Sequence, residues 1–184
     1  MEQSIREQAV LQTLGAVEAA VDQNMNAIDN LGEDDFETLR QKRLQQMKER
    51  QQKIVEWRKQ GHGTYSEIRD EREFFETAKK SERVLVHFYR PASKYCVYMD
   101  KQLQKLSRVH MEAKHVKINA EKCPYLCEKL NIVTLPSVVL VKNRKTEHTC
   151  IGFDEFGGHE APTAYFAAIF NKHAIYEDQK ESYD

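Results

Sequence analysis

The chain has 184 residues, a length that fits one domain with an appendage or two small domains. Charged residues make up 31% of the sequence and hydrophobic residues 40%, and the formal net charge is -1 at pH 7. This balance gives no overall attraction towards nucleic acid or a membrane surface, so we expect neither as a partner.

The N-terminal sequence and the cysteines indicate the cellular compartment in which we expect the protein. The first residues, MEQSIREQAV, lack a basic start and an apolar run, so we expect no signal peptide. No apolar stretch is long enough to cross a bilayer. Four cysteines without a secretory signal indicate a reducing compartment. We therefore expect the cytoplasm, with the nucleus as an alternative.

The first sixty residues have a helical pattern, with no proline and only two glycines. Apolar side chains recur at alternating spacings of four and three from Val10 to Leu31, and Asn24 occupies the one polar position in this ladder. The pattern fits a coiled coil, a helix docked on a partner, or a short helix packed on the protein's own core. We predict a helical extension over residues 1–60 and leave these three interpretations open.

A second helix is predicted after Gly32, with acidic residues at its start and basic residues towards Lys59. Its apolar side chains form a ragged stripe rather than a full face. A helix this polar either projects into solvent or finds its apolar cover on another protein. The predicted interaction surface consists of Phe36, Leu39, Arg40, Arg43, Leu44, Met47, Ile54 and Trp57.

Beyond Gly63 the sequence alternates between strand and helix patterns. GTYSEI predicts a short strand, and Asp70 with Glu73 predicts a capping box that opens a helix. VLVHFY is an apolar run typical of a central strand buried on both faces. A long helix and the strand HVKINA follow, and Pro124 opens another short helix.

The remaining segments complete the predicted domain. Two strands flank a turn at residues 142–145, and a last helix follows Gly158. The order β-α-β-α-β-α-β-β-α over residues 61–173 predicts an α/β fold with a mixed sheet flanked by helices. Residues 174–184 are acidic without an apolar period, so we predict a flexible tail there.

This order resembles a thioredoxin fold over residues 63–171. Phe88 and Tyr89 end the central strand, and Pro136 in VTLPSVVL takes the position of the family's cis-proline. Counting forward from the strand, the family's Cys-x-x-Cys motif falls on four residues of this chain. They are Ser93, Lys94, Tyr95 and Cys96.

The resemblance implies a degenerate redox motif. In this fold the first cysteine attacks the substrate disulfide and the second resolves the mixed disulfide. Ser93 cannot replace the first cysteine, because its hydroxyl stays protonated and forms no disulfide. His87 takes the place of the buried acid that assists proton transfer in thioredoxins. The dithiol cycle is therefore excluded, and one-cysteine exchange through Cys96 stays as an alternative.

The other cysteines and the histidines give no sign of a metal site. Cys123 and Cys127 are spaced four apart, as on one face of a helix, and Cys150 lies in a predicted strand. We expect these three to be packing residues. The seven histidines show no HExxH or similar ligand spacing. We therefore predict no metal and no cofactor.

Longer segments of the sequence indicate a more specific family resemblance. GHGTYSEI, EREFF, VLVHFYR, CEKLNIVTLPSVVLVKNRKT and IGFDEFGG are similar to the phosducin-like family. KRLQQMKERQQKIVEWRKQGHGTYSEI resembles its type-three branch most specifically. The resemblance runs over nearly the whole chain and is weakest in the first thirty residues. It implies a thioredoxin fold with a helical N-terminal extension and no working redox motif.

The family resemblance also implies a function. Members of this branch bind the cytosolic chaperonin and modulate the folding of its clients, especially tubulin and actin. We therefore expect a non-catalytic co-chaperone. Founding members of the family instead bind the βγ pair of heterotrimeric G proteins through a longer helix with its own recognition motif. That motif has no convincing equivalent here, so G-protein βγ binding is the first alternative and thiol exchange through Cys96 the second. The oligomeric state stays open.

Overall fold

The computed structural model of the protein describes Val21 and residues 33–177. The chain divides into two compact units, Met1–Gln51 and Gln52–Asp184. Of the predicted heptad ladder, only Val21 lies within the described residues, where it is helical and half exposed. The rest of the ladder lies outside them. None of the helices among the described residues is long and apolar enough to span a membrane.

Helix α1 spans Glu33–Lys59. It contains neither glycine nor proline and is rich in Gln, Lys, Arg and Glu, which favour helix formation. It ends in a Schellman motif, in which the N–H of His62 donates to Trp57 O at 2.9 Å and the N–H of Gly61 donates to Arg58 O at 3.0 Å. Gly61 has φ +77°, a left-handed conformation that suits glycine.

The predicted order of strands and helices after α1 is confirmed. The elements are β1 Tyr65–Ile68, α2 Glu71–Lys80, β2 Arg83–Tyr89, α3 Lys94–Val109, β3 Lys114–Asn119, α4 Pro124–Lys129, β4 Ser137–Lys142, β5 Lys145–Ile151 and α5 Thr163–Lys172. Single turns of 3₁₀-helix occur at Ala120–Lys122 and Asp154–Phe156.

The five strands form one mixed sheet in the order β1-β3-β2-β4-β5. Strands β1, β3 and β2 run parallel, while β4 runs antiparallel to β2, and β5 runs antiparallel to β4. The central strand is β2, whose five inner residues are all buried, as its apolar sequence predicts. The β4–β5 turn places Asn143 and Arg144 at φ 51° and 67°, which is the type I′ geometry of a tight hairpin.

A hydrophobic core lies on each face of the sheet. Along β2, Leu85 belongs to the core covered by α3 and α5, whereas Val86 and Phe88 belong to the core covered by α2 and α4. The first core contains the aromatic side chains Phe156 and Phe166, whose rings stack at 4.3 Å. With both faces covered, the ends of the strands are the natural places for a functional site.

Two sequence predictions need correction. The domain boundary at residue 60 stays a prediction; the compact units divide at residue 51, and Trp57 stacks on His62, which is itself buried. The predicted flexible tail from residue 174 is wrong for Ile175 and Tyr176, which are buried in the first core. The capping box is half formed: Asp70 caps Glu73 N–H at 2.9 Å, but the Glu73 carboxylate accepts from the N–H of Arg69.

Candidate functional site

The degenerate motif forms the start of α3. Ser93 is the N-cap residue of this helix, and its Oγ accepts a hydrogen bond from the N–H of Cys96 at 3.4 Å. Lys94 is the first helical residue, and the ring of Tyr95 is exposed. Cys96 is buried, with 1% of its surface exposed. Serine therefore holds the helix end here, where a redox enzyme of this fold would present a nucleophilic thiolate.

Pro136 lies at the same edge of the sheet. The Leu135–Pro136 peptide bond is cis, as in the family position to which the sequence assigns this proline. Pro136 directly precedes β4, where Ser137 pairs with Phe88 of the central strand. Its carbonyl accepts from the N–H of Gly152 at 2.9 Å. The cis-proline and the degenerate motif thus lie at the same edge of the sheet.

A partly buried polar cluster, centred on the fully buried His87, lies behind the motif. Nδ1 of His87 is 2.9 Å from Oδ1 of Asp100, and the hydroxyl of Tyr65 donates to the same oxygen at 2.6 Å. Lys117 donates to the other carboxylate oxygen at 2.9 Å. We call these four residues the His87–Asp100 cluster. It joins β1, β2, β3 and α3, so the group in place of the family's buried acid is held from four elements.

The cluster keeps Asp100 ionised. Burial by itself would raise the pKa of this carboxyl, but hydrogen bonds with His87, Tyr65 and Lys117 outweigh burial and lower the pKa from 3.8 to about 2. The pKa of the Tyr65 hydroxyl is raised by burial and by the neighbouring Asp100 charge. The hydroxyl therefore remains a donor to the carboxylate throughout the physiological range.

His87 also acts on the thiol of Cys96. Burial would raise the pKa of this thiol, but His87, the backbone of Arg90 and the side chain of Ser93 favour the thiolate and lower the pKa below its usual value. Nε2 of His87 is buried and makes no hydrogen bond of ordinary geometry. A thiol followed by an imidazole and a carboxylate is the arrangement that activates a nucleophilic cysteine. The Cys96 thiol, however, is shielded from solvent.

No second thiol completes a redox pair. All four cysteines are free, and Cys123 and Cys150 are fully buried in the two cores. Burial raises the pKa of each of these two thiols to about 12, which makes them unreactive. Cys127 is half-buried and packs against the second core. This burial agrees with the packing roles expected from the sequence.

The exposure of the predicted interaction surface on α1 decreases from its N-terminal to its C-terminal end. Its four N-terminal apolar side chains are between 48% and 57% exposed. They are Phe36, Leu39, Leu44 and Met47. Ile54 and Trp57 are half-buried instead, and the ring of Trp57 stacks on His62 with 6.4 Å between centroids. At 3.6 residues per turn, Arg40 and Arg43 fall within about 60° of arc with Phe36 and Met47.

One group of side chains in the described part of the chain could hold a metal ion. It consists of His148, Glu155 and His173, whose ligand atoms all lie within 4.8 Å of one another. The residues come from β5, from the second 3₁₀ turn and from the end of α5. Their positions in the sequence give no metal-site signal, because such motifs rely on short spacings and these side chains meet only in the folded domain.

The comparisons with known proteins agree with this structure. A model of the thioredoxin family, described as "Thioredoxin", matches residues 66–157. The solved structure of a mutant thioredoxin from Halobacterium salinarum superposes with a TM-score of 0.53 over 60% of this chain and 91% of that one, at 14% identity. At this identity the likeness concerns the fold alone.

Two curated relatives are much closer in sequence. The "Thioredoxin domain-containing protein 9 homolog" of Arabidopsis thaliana is 45% identical over 158 residues, which cover 86% of this chain and 74% of the relative. The "Phosducin-like protein 3" of Drosophila melanogaster is 42% identical over 154 residues, covering 84% and 71%. The chain therefore belongs to the family of phosducin-like protein 3 and thioredoxin domain-containing protein 9, and it is built on a thioredoxin fold.

Proposed function

We propose that the protein is a non-catalytic co-chaperone of the cytosol that binds the cytosolic chaperonin and modulates the folding of clients such as tubulin and actin. The single observation that carries this proposal is the exposed apolar and arginine-bearing surface at the N-terminal part of α1. Family membership supports the proposal, since the relatives include proteins named phosducin-like protein 3.

The composition of this surface suits protein binding. Phe36 and Met47 are about half exposed, and Arg40 and Arg43 share their side of the helix. Aromatic residues, methionine and arginine are enriched at the centres of protein interfaces, where a few of them carry most of the binding energy. The acidic start and basic end of α1 add a charge pattern that would orient a partner and speed its association.

The state of the motif supports a role without catalysis. Ser93 caps α3, and Cys96 is buried with no second free thiol to form a disulfide within the motif. A thioredoxin domain in this condition can serve as a rigid body that carries the binding helix.

The first prediction concerns chaperonin binding by α1. The double substitution Phe36→Ala and Met47→Ala should weaken the affinity of the full-length protein for purified chaperonin by about tenfold or more, since it removes two interface anchors. Gln41→Ala with Gln45→Ala is the matched control, because both glutamines are exposed on the opposite side of α1. Affinity is measured as the binding of each variant to purified chaperonin immobilised on a surface.

Two outcomes would contradict this proposal. One is equal affinity of the double variant and the control variant, which would remove α1 from the interface. The other is absence of chaperonin binding at micromolar concentrations together with binding to G-protein βγ, which would place the alternative function first.

The lowered pKa of the Cys96 thiol favours a second candidate function, thiol exchange through this residue. The second prediction tests it. Insulin reduction coupled to thioredoxin reductase should stay at background, because Ser93 supplies no attacking thiol and Cys96 is shielded. An authentic thioredoxin serves as the positive control. Robust activity that disappears in Cys96→Ser would establish the second function instead.

A further inference from the structure

Three side chains converge where β5, the second 3₁₀ turn and α5 meet. Nε2 of His148 lies 2.9 Å from both carboxylate oxygens of Glu155. The rings of His148 and His173 stack with 4.0 Å between centroids and 6° between planes. One ligand atom from each residue lies within 4.8 Å of the other two. We call this group the His148 cluster.

The backbone under each of these side chains is fixed by the first core. Cys150, two residues beyond His148 in β5, is fully buried, and Phe156 next to Glu155 is fully buried as well. His173 is the C-cap residue of α5 and is followed at a distance of two residues by the buried Ile175. Ligands on anchored elements need little ordering when they bind an ion.

We propose that His148, Glu155 and His173 bind a divalent transition-metal ion, for which Zn²⁺ is the best match. Two imidazole nitrogens and one carboxylate are a ligand set that tetrahedral Zn²⁺ accepts, with the fourth position open to water. Imidazole favours Zn²⁺ and related first-row ions over Mg²⁺ and Ca²⁺, which prefer oxygen ligands. The cluster is half-exposed, so an ion reaches it directly from solvent.

The charges of the cluster suit a cation. Neutral imidazole is the form of histidine that ligates a metal. The Glu155 carboxylate supplies the negative charge that would pair with a bound Zn²⁺.

The observed geometry needs only a local adjustment to bind. Ligand atoms around a tetrahedral Zn²⁺ are about 3.3 Å apart, given bonds of about 2.0–2.1 Å. Nε2 of His148 and the carboxylate of Glu155 are already closer than this. The two parallel rings must tilt so that their nitrogens point to one centre. Both rings are partly solvent-exposed, which leaves room for this rotation.

An ion pair with ring stacking is the simpler explanation of the same contacts, and the chain contains a control for it. His159 and Glu160 form a histidine–glutamate pair at 3.8 Å that is more exposed and belongs to no three-ligand group among the described residues. If histidine–glutamate pairs alone attracted the metal, substitution of His159 would matter as much as substitution of His148.

The third prediction is a metal titration on the untagged full-length protein under reducing conditions. ZnCl₂ should bind at one equivalent per chain by calorimetry and raise the melting temperature. His148→Ala and His173→Ala should each weaken binding by about tenfold or more and abolish the zinc-dependent thermal shift, whereas His159→Ala should change neither. Melting curves without metal verify that each variant is folded, which the partial exposure of these side chains favours.

Cobalt distinguishes this site from the cysteines. Co²⁺ bound by the His148 cluster should give visible d–d bands without a thiolate-to-metal charge-transfer band. A charge-transfer band, zinc affinity that is unchanged in His148→Ala and His173→Ala, or no binding of ZnCl₂ with no thermal shift would each overturn the proposal. Glu155→Gln, which keeps the side-chain shape and removes the charge, should also weaken binding.

Discussion

Replacing Asp100 with alanine should lower the free energy of unfolding at pH 7 by about 3 kcal/mol. The substitution leaves Lys117 and the fully buried His87 without their shared carboxylate, and it removes the acceptor of the Tyr65 hydroxyl. The cost stays at the low end for a broken buried ion pair, because 23% of the Asp100 side chain is exposed to solvent. Urea denaturation of the full-length protein measures the change.

The pH dependence of stability distinguishes the loss of the Asp100 charge from the loss of its packing. The pKa of Asp100 is lowered to about 2, below its value of 3.8 in an unfolded chain, so its stabilising effect is complete above about pH 4 and is lost as the pH falls towards 2. The difference between wild type and Asp100→Ala should therefore persist at pH 5 and shrink below pH 4. Lys101→Ala, at an exposed position of the same helix, should be nearly neutral. A comparable loss in Lys101→Ala would contradict the assignment to the cluster.

The second large effect is acid destabilisation through His115. This residue is fully buried, its Nε2 lies 2.7 Å from the hydroxyl of Tyr176, and burial lowers its pKa from 6.5 to about 3. Below pH 6.5 the unfolded chain binds a proton that the folded chain excludes. Stability should therefore fall by about 1.4 kcal/mol per pH unit from this residue alone, until the pH reaches about 3.

His115→Gln tests this expectation, since glutamine keeps polar groups near Tyr176 and cannot be protonated. The variant should be less stable than wild type at pH 7, but its stability should fall less steeply between pH 6 and 4.5, by about 1.4 kcal/mol per pH unit. His62, whose pKa is also lowered by burial, adds a slope common to both proteins. The exposed His159→Gln is the control for the substitution itself and should leave the stability at pH 7 nearly unchanged. Parallel slopes for His115→Gln and wild type would contradict the role of His115.

Much of the fold could be predicted from the sequence because its signals are local. VLVHFY encodes a strand buried on both faces, Pro124 opens α4, and Asn143 suits the left-handed backbone of the hairpin turn. The position of Pro136 before β4 and the replacement of a motif cysteine by Ser93 follow from counting along that pattern. These features depend on residue type at a fixed distance from a recognisable strand.

The remaining features depend on contacts between distant segments. The sequence indicated that His87 replaces an acid, but not that Asp100, thirteen positions later, supplies the carboxylate to it. Tyr176 begins a run that reads as a polar tail, yet its ring stacks on that of His110 with 3.8 Å between centroids. An aromatic ring with a polar tip gives little indication in sequence of whether it is buried.

The junction at the end of α1 has a consequence for dissecting the protein. His62 is hydrogen-bonded to Met111 O at 2.8 Å and to Ser81 Oγ at 2.9 Å, and Trp57 covers its ring. A shortened form that begins at residue 61 would lose the Trp57 ring that covers His62, together with the carbonyls that accept hydrogen bonds at the end of α1. Such a truncation would therefore disturb the thioredoxin-like domain as well as remove α1. A defect of such a form could then come from the loss of α1 or from the disturbed domain. Cleavage after residue 51 would keep Trp57 over His62, so a defect would report only the loss of the preceding residues.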